Sequence, residues 1–220
     1  MSLGHGAGTV LSGLILHLDA ANVKSYNSLT STSTWFDLSG NNRNVVKAGS
    51  QSPTYPQWNS LGYFEFTGGT NGNAFSYFNA DIPGLTSITI DVFHYATASG
   101  GHVIRADNNA YQIGPDGYTA GLSFNDIRSN RLDTINTWVN DSLTFDGNIL
   151  IGYRNGVQYS TATRVSTATI AASTARIGTR SDLFTAHYVG NIATIKIYNR
   201  ALSAIEISQN FEASRGRYRI

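Results

Sequence analysis

The chain has 220 residues, 41% hydrophobic and 13% charged, with a net charge of +1. That length can hold one well-cored domain, and the composition fits neither a disordered nor a membrane-embedded chain. The near-neutral balance gives no chain-wide attraction to nucleic acid, and the absence of cysteine removes disulfides, thiolate metal sites and cysteine nucleophiles.

Residues 1–9 are rich in glycine and read as a flexible N-terminal arm. They lack the basic and apolar regions of a secretory signal. No later stretch reaches the roughly 18 apolar residues of a membrane helix, so a protein made in the cytoplasm, with no membrane partner, is expected. Val10 to Leu18 is a β candidate broken at Gly13, and 22–34 is a Ser/Thr/Asn loop. Trp35-Phe-Asp-Leu-Ser-Gly-Asn-Asn42 reads as a tight turn carrying two large aromatic anchors. Tyr63 to Phe66 is a short strand. Ile88, Ile90 and Val92 alternate with Thr89, Asp91 and Phe93, the period-two signature of a half-buried strand.

Hairpins follow. Gly114-Pro-Asp-Gly117 is a turn in which Pro presets φ and Gly accepts φ > 0. Asp146-Gly147 joins the strand of Leu143 and Phe145 to that of Ile149 and Ile151. Asn155-Gly156 is a type I′ signal, and Arg176-Ile-Gly178 ends another strand. In the strand from Gly190 to Tyr198, Ala193, Ile195 and Ile197 alternate with Thr194, Lys196 and Tyr198. A helix starts after it. Ser203 and Glu206 have capping-box spacing, Leu202 and Ile207 fit a hydrophobic staple, and Ala204, Ile207 and Phe211 form a short apolar stripe. Many short strands and one terminal helix predict an all-β fold: a two-sheet antiparallel β-sandwich or jelly roll with one short C-terminal helix. The expected division is an arm at 1–9, a sandwich at 10–213 and a basic C-terminal tail at 214–220.

The motifs Gly13-Leu-Ile-Leu-His-Leu-Asp-Ala20, Trp35 to Asn41, Tyr63-Phe-Glu-Phe66, Ile88-Thr-Ile90, Trp138, Tyr153-Arg-Asn-Gly156, Arg176-Ile-Gly178 and Gly190 to Phe211 occur in that order. Together they resemble the concanavalin A-like lectin/glucanase superfamily, in its laminin-G-like branch. Leu18-Asp-Ala-Ala-Asn22 with Trp35-Phe-Asp-Leu-Ser-Gly-Asn41 is similar to domains of tailed-bacteriophage virion proteins. The resemblance implies a β-sandwich with a sugar, calcium or protein site on loops or on the concave sheet.

Laminarinase-type relatives use a Glu-x-Asp-x-x-Glu cluster, in which paired carboxylates serve as nucleophile and general acid. This chain has three glutamates, Glu65, Glu206 and Glu212, two of them on the terminal helix. Asp91 has no acid at i+2. A non-catalytic protein is expected. Asp107-Asn-Asn109 and Asp146-Gly-Asn148 offer oxygens for calcium, although Asx residues beside Gly are ordinary turn formers; no resident cofactor is expected. The five histidines (5, 17, 94, 102 and 187) show no ligand spacing, and His17 and His94 read as core-edge or surface residues. Asp37 and Asn41 read as turn-bridging side chains.

Tyr95, Tyr111 and Tyr118 lie near turns and are the candidates for stacking on a glycan. Arg215, Arg217, Tyr218 and Arg219 are the candidates for assembly contacts, in a tail that either orders on a neighbouring subunit or stays frayed. The sequence reading is therefore a non-catalytic structural protein of a phage virion, in the head decoration, tail or fibre. Its partners would be other virion proteins and copies of itself. The alternative is a carbohydrate-binding or adhesion module for host-surface glycan.

Overall fold

The computed structural model describes residues 8–30, 33–48, 56–68, 77–107, 110–114, 117–120, 135–163, 169–179 and 187–220. The expected arm therefore falls almost wholly outside the described residues. In chain order the strands are β1 (Leu14–Asp19), β2 (Thr34–Trp35), β3 (Val45–Ala48), β4 (Gln57–Asn59), β5 (Tyr63–Thr67), β6 (Tyr77–Ile82), β7 (Ile88–Ala96) and β8 (Ile104–Ala106). They continue with β9 (Tyr111–Gly114), β10 (Gly117–Ala120), β11 (Trp138–Phe145), β12 (Ile149–Arg154), β13 (Val157–Thr163), β14 (Ser173–Ile177) and β15 (Val189–Tyr198), and the chain closes with helix α1 (Ala204–Tyr218).

The strands form two antiparallel sheets. The larger runs β13-β12-β11-β7-β15-β5-β4, with β1 also paired to β15; the smaller runs β10-β9-β8-β14-β6-β3-β2. Alternation decides what each strand buries. Ile88, Ile90 and Val92 of β7 and Leu143 and Phe145 of β11 face inward from the larger sheet. They meet Phe78, Ile104, Ile113 and Ile177 of the smaller sheet in one core. Trp35, fully buried, links the layers: its ring lies 4.7 Å from Phe64 of β5 and 5.5 Å from Phe78 of β6.

Strand β15 organises the larger sheet. Its register shifts between Ile192 and Thr194. Residues 189–192 pair with β5, while 194–198 pair with β1. Such a bulge bends the strand, and here the partner strand on that edge changes beside it. The β12–β13 turn has the expected form, with φ of 50° at Asn155 and 76° at Gly156, as a type I′ turn needs.

Helix α1 starts as expected. Ser203 and Glu206 exchange both capping-box bonds, and Leu202 and Ile207 bury together with Val10, Leu14, Tyr153 and Tyr198. Its further course departs from two expectations. Ala204 is exposed, and the buried residues are Ile207, Asn210 and Tyr218. The helix also passes through residue 214 to Tyr218, so 214–218 is its last turn rather than part of a separate tail. The cause is packing. Tyr218 lies two turns beyond Phe211, and both rings stack on Phe93 of β7, at 4.6 and 6.2 Å. Phe93 points away from the sandwich core, so α1 lies on the outer face of the larger sheet. Asn210 clasps the chain start, accepting from Val10 N at 2.9 Å and donating to the Tyr198 hydroxyl at 2.9 Å.

Candidate functional site

In an antiparallel sheet, directly opposed residues point to the same face. One line of such partners crosses five strands of the larger sheet. Trp138 on β11 opposes Tyr95 on β7, and Tyr95 opposes Asn191 on β15. Asn191 opposes Glu65 on β5, and Glu65 opposes Gln57 on β4. All five share the outer face with Phe93. At the usual strand spacing the row is about 19 Å long. Gln57 is exposed and the other four are half-buried, so α1 does not bury the row.

The remaining outer-face rows lie toward the helix. Asp19, Thr194, Phe93 and Asn140 form the next, and His17, Lys196, Asp91 and Ser142 the one after. Most of these side chains are buried. Lys196 Nζ lies 3.3 Å from Asp91 Oδ2, and Asp91 also accepts from Asn140 and Ser142. The outer face therefore has a covered, internally paired part and an open row at its end.

The open row has two kinds of chemistry. At one end Trp138 sits 5.7 Å from Tyr95 and 4.8 Å from Tyr218, and its ring also comes within 5.6 Å of Tyr63, which belongs to β5, the strand of Glu65. This is an aromatic group whose far side is closed by the last turn of α1. At the other end Asn59 Nδ2 donates to Glu65 Oε1 at 2.9 Å, which fixes that carboxylate. Burial, and then the charge of Glu65, raise the Tyr63 phenol above its usual pKa, keeping it a neutral donor. Burial pushes the Tyr218 phenol up to about 12. Rings that offer flat faces, beside amides and a carboxylate that pair with hydroxyls, suit a ligand with both apolar faces and polar edges.

The residues expected from the sequence separate here. Tyr95 is in the row. Tyr111 is not a surface residue: it is fully buried in the core, because it shares strand parity with the inward Ile113. Tyr118 is in β10, but its side chain lies outside the described residues. Arg217 Nη1 donates to Asp19 Oδ1 at 2.7 Å, Arg215 Nε to Glu212 Oε2 at 2.6 Å, and Arg219 is the left-handed C-cap of α1. Arg217 and Tyr218 thus make contacts within the fold. Sequence reasoning missed Gln57, Tyr63 and Asn191, used Trp138 only as a fold marker, and weighed Glu65 only for catalysis.

Other expectations find local roles. Asp37 accepts from His17 N, Ser39 N and Arg43 N, as a turn-bridging residue does. Both Asp107 oxygens accept from Arg176, and Asp146 Oδ1 accepts from Asn148 N and Ile149 N; Asn108 and Asn109 are outside the described residues. Among the described residues no group of three or more His, Asp or Glu side chains is placed to hold a metal. Glu206 binds Arg200 and Ser203 within the helix cap. His94 is no edge residue: it is fully buried, with Nε2 2.8 Å from Asp141 Oδ2 and Nδ1 3.0 Å from the Tyr188 hydroxyl. Among the described residues no helix is long and apolar enough to cross a membrane.

Two antiparallel sheets around a single core, with an open row on one outer face, define a lectin-like β-sandwich. The model of the concanavalin A-like lectin/glucanases superfamily (the laminin G type) matches residues 81–208, and the chain belongs to that family. Among solved structures it is similar to the receptor-binding domain of botulinum neurotoxin mosaic serotype C/D, with a TM-score of 0.63 and 14% identity over 94% of this chain. The match covers 52% of that chain, so this protein spans about half of it. Domain 4 of AbnA, a GH43 extracellular arabinanase from Geobacillus stearothermophilus in complex with arabinotriose, gives 0.57 and 16% identity over 91% of this chain and 98% of that one. Trypanosoma rangeli sialidase gives 0.62 and 16% identity over 93% and 33%. These identities show a shared fold. A search of curated proteins finds no match.

Proposed function

We propose that this protein is a carbohydrate-binding module whose ligand lies on the outer face of the larger sheet. The observation that carries this reading is the row Trp138–Tyr95–Asn191–Glu65–Gln57, in register across five strands and open at its surface. Rings for stacking and side-chain amides for hydroxyls sit on a rigid sheet, so binding orders few flexible groups. A receptor-binding domain and an arabinanase domain in complex with arabinotriose, both among its structural neighbours, support the reading. A non-catalytic role fits the glutamates: Glu206 and Glu212 are committed to helix contacts, and Glu65 has no second carboxylate opposite it in the row.

A place in a phage virion, with virion proteins and copies of itself as partners, has its support in the sequence resemblance alone. The terminal residues expected to serve it are in part spent inside the fold, and glycan binding stands without that setting.

The test is a glycan array followed by titration calorimetry on the glycans it selects. Tyr95→Ala and Trp138→Ala should each weaken binding about tenfold or more, as aromatic anchors do at interface centres. Trp138→Phe should retain part of the affinity, and unfolding midpoints report whether each variant is folded. An array without a hit, or binding indifferent to both folded alanine variants, would overturn the proposal.

A further inference from the structure

We infer that the row selects a neutral, unbranched oligosaccharide laid across the strands, with Glu65 accepting from hydroxyls of the sugar. This rests on the reading of the row as a glycan site and adds the class of glycan.

The first support is charge. Of the five residues in the row, Glu65 is the one with a carboxyl group, and none is basic. A carboxylate is acceptor-only, with two oxygens and about four lone-pair positions. Asn59 Nδ2 occupies one position on Oε1 and fixes the group. Among the described residues no other hydrogen bond reaches the carboxylate, so Oε2 and the remaining lone pairs face O–H donors of a ligand, and such charge-assisted bonds are the strong ones. Asn191 and Gln57, on either side of Glu65, each carry a donor and an acceptor, as a hydroxyl does.

The second support is what surrounds that charge. A ligand carboxylate or sulfate over Glu65 would bring like charges together, which disfavours binding more as water is excluded. Of the cations in the last turn of α1, Arg217 is bound to Asp19 and Arg215 to Glu212. The residue opposing Glu65 on each side is a neutral amide.

The third support is shape. The side chains follow a line perpendicular to the strands, rings at one end and amides and carboxylate at the other. A linear ligand meets both ends at once, with a stacked unit over Trp138 and Tyr95 and a hydrogen-bonded unit over Glu65. Tyr218, its ring tilted against Trp138 at 4.8 Å, closes the side toward the helix, so a branch pointing that way meets the helix turn.

The experiment is titration calorimetry of the whole chain with linear arabino-, gluco- and manno-oligosaccharides of increasing length, beside sialyllactose and oligogalacturonate. Neutral probes should bind, with affinity rising with length until the row is filled. Acidic probes should bind more weakly than neutral ones of equal length. Glu65→Gln should weaken the best neutral probe about tenfold and narrow the gap between neutral and acidic probes, with an unchanged unfolding midpoint. Preference of the native protein for an acidic probe, or neutral binding indifferent to Glu65→Gln, would overturn the assigned class and leave the glycan site standing. Failure of every probe, neutral and acidic, would count against the site itself.

Discussion

His17 shows how a side chain with no legible role becomes informative once its neighbours are known. It lies on the outer face of β1, directly opposite Lys196, which in turn opposes Asp91. Burial, and then the Lys196 ammonium, pull its imidazole down from 6.5 to about 4, against the opposing pull of Asp19, Asp91 and Asp37. The folded state thus takes up its proton at lower pH than the unfolded chain. Between about 6.5 and 4 the unfolded state binds more protons, so stability falls as pH falls through that window. His17→Gln removes this dependence. The urea midpoint of the native protein should therefore drop further, relative to that of the variant, between neutral pH and the bottom of the window. Parallel pH profiles for the two proteins would show that His17 titrates normally. Asp91 and Lys196, read from the sequence as ordinary strand residues, are a buried pair for the same reason: α1 covers a polar face. A polar–apolar alternation reports which side of a strand is less apolar, and not whether a helix later lies over that side.

Among the elements, α1 was half legible. Its start is written in local chemistry, Ser203 with Glu206 and Leu202 with Ile207, and local chemistry survives folding unchanged. Its end is set by a long-range contact. Three arginines in the last six residues read as a tail that either docks on a neighbouring subunit or stays frayed, while the structure buries Tyr218 between Phe93 and Trp138. No local signal announces packing against strands β7 and β11. The consequence is measurable: Tyr218→Ala should cost about 3 kcal/mol in urea unfolding, as truncation of buried aromatics does. Arg219→Ala, at the exposed C-cap, should stay within about 0.5 kcal/mol of the parent. Equal and small effects from the two variants would return residues 214–220 to the status of a tail. The strands behaved as the helix start did. Asn155-Gly156 forms the turn that its residues demand, and Tyr111-Gln-Ile113 carried its own warning, because parity with Ile113 places Tyr111 in the core.

At the scale of the whole molecule, the sandwich was legible and the site was not, and one physical reason covers both. Alternation and turn residues are local, so they reveal strands and fold class. The candidate row gathers Gln57, Glu65, Tyr95, Trp138 and Asn191 from strands spread along most of the chain, and its registers are set by tertiary pairing. Tyr95 alone was visible beforehand, as an aromatic near a turn. The same pairing makes a prediction about energetics. Strands β7 and β15 are central, paired on both sides, and nearly every residue in them is buried. Their amides should exchange with solvent only through global unfolding, whereas the edge strands β2 and β10 of the smaller sheet should exchange through local opening. A ligand held across β11, β7, β15, β5 and β4 stabilises the native state as a whole. At a hundredfold excess over Kd it should raise the protection of β7 and β15 amides by about 2.7 kcal/mol, and by the same amount in both strands. Edge-strand amides that open locally should gain little, because their opening leaves the row intact. Hydrogen exchange followed by mass spectrometry, with and without the selected glycan, makes the comparison. A gain confined to the smaller sheet would move the site off this face, whatever the array had selected.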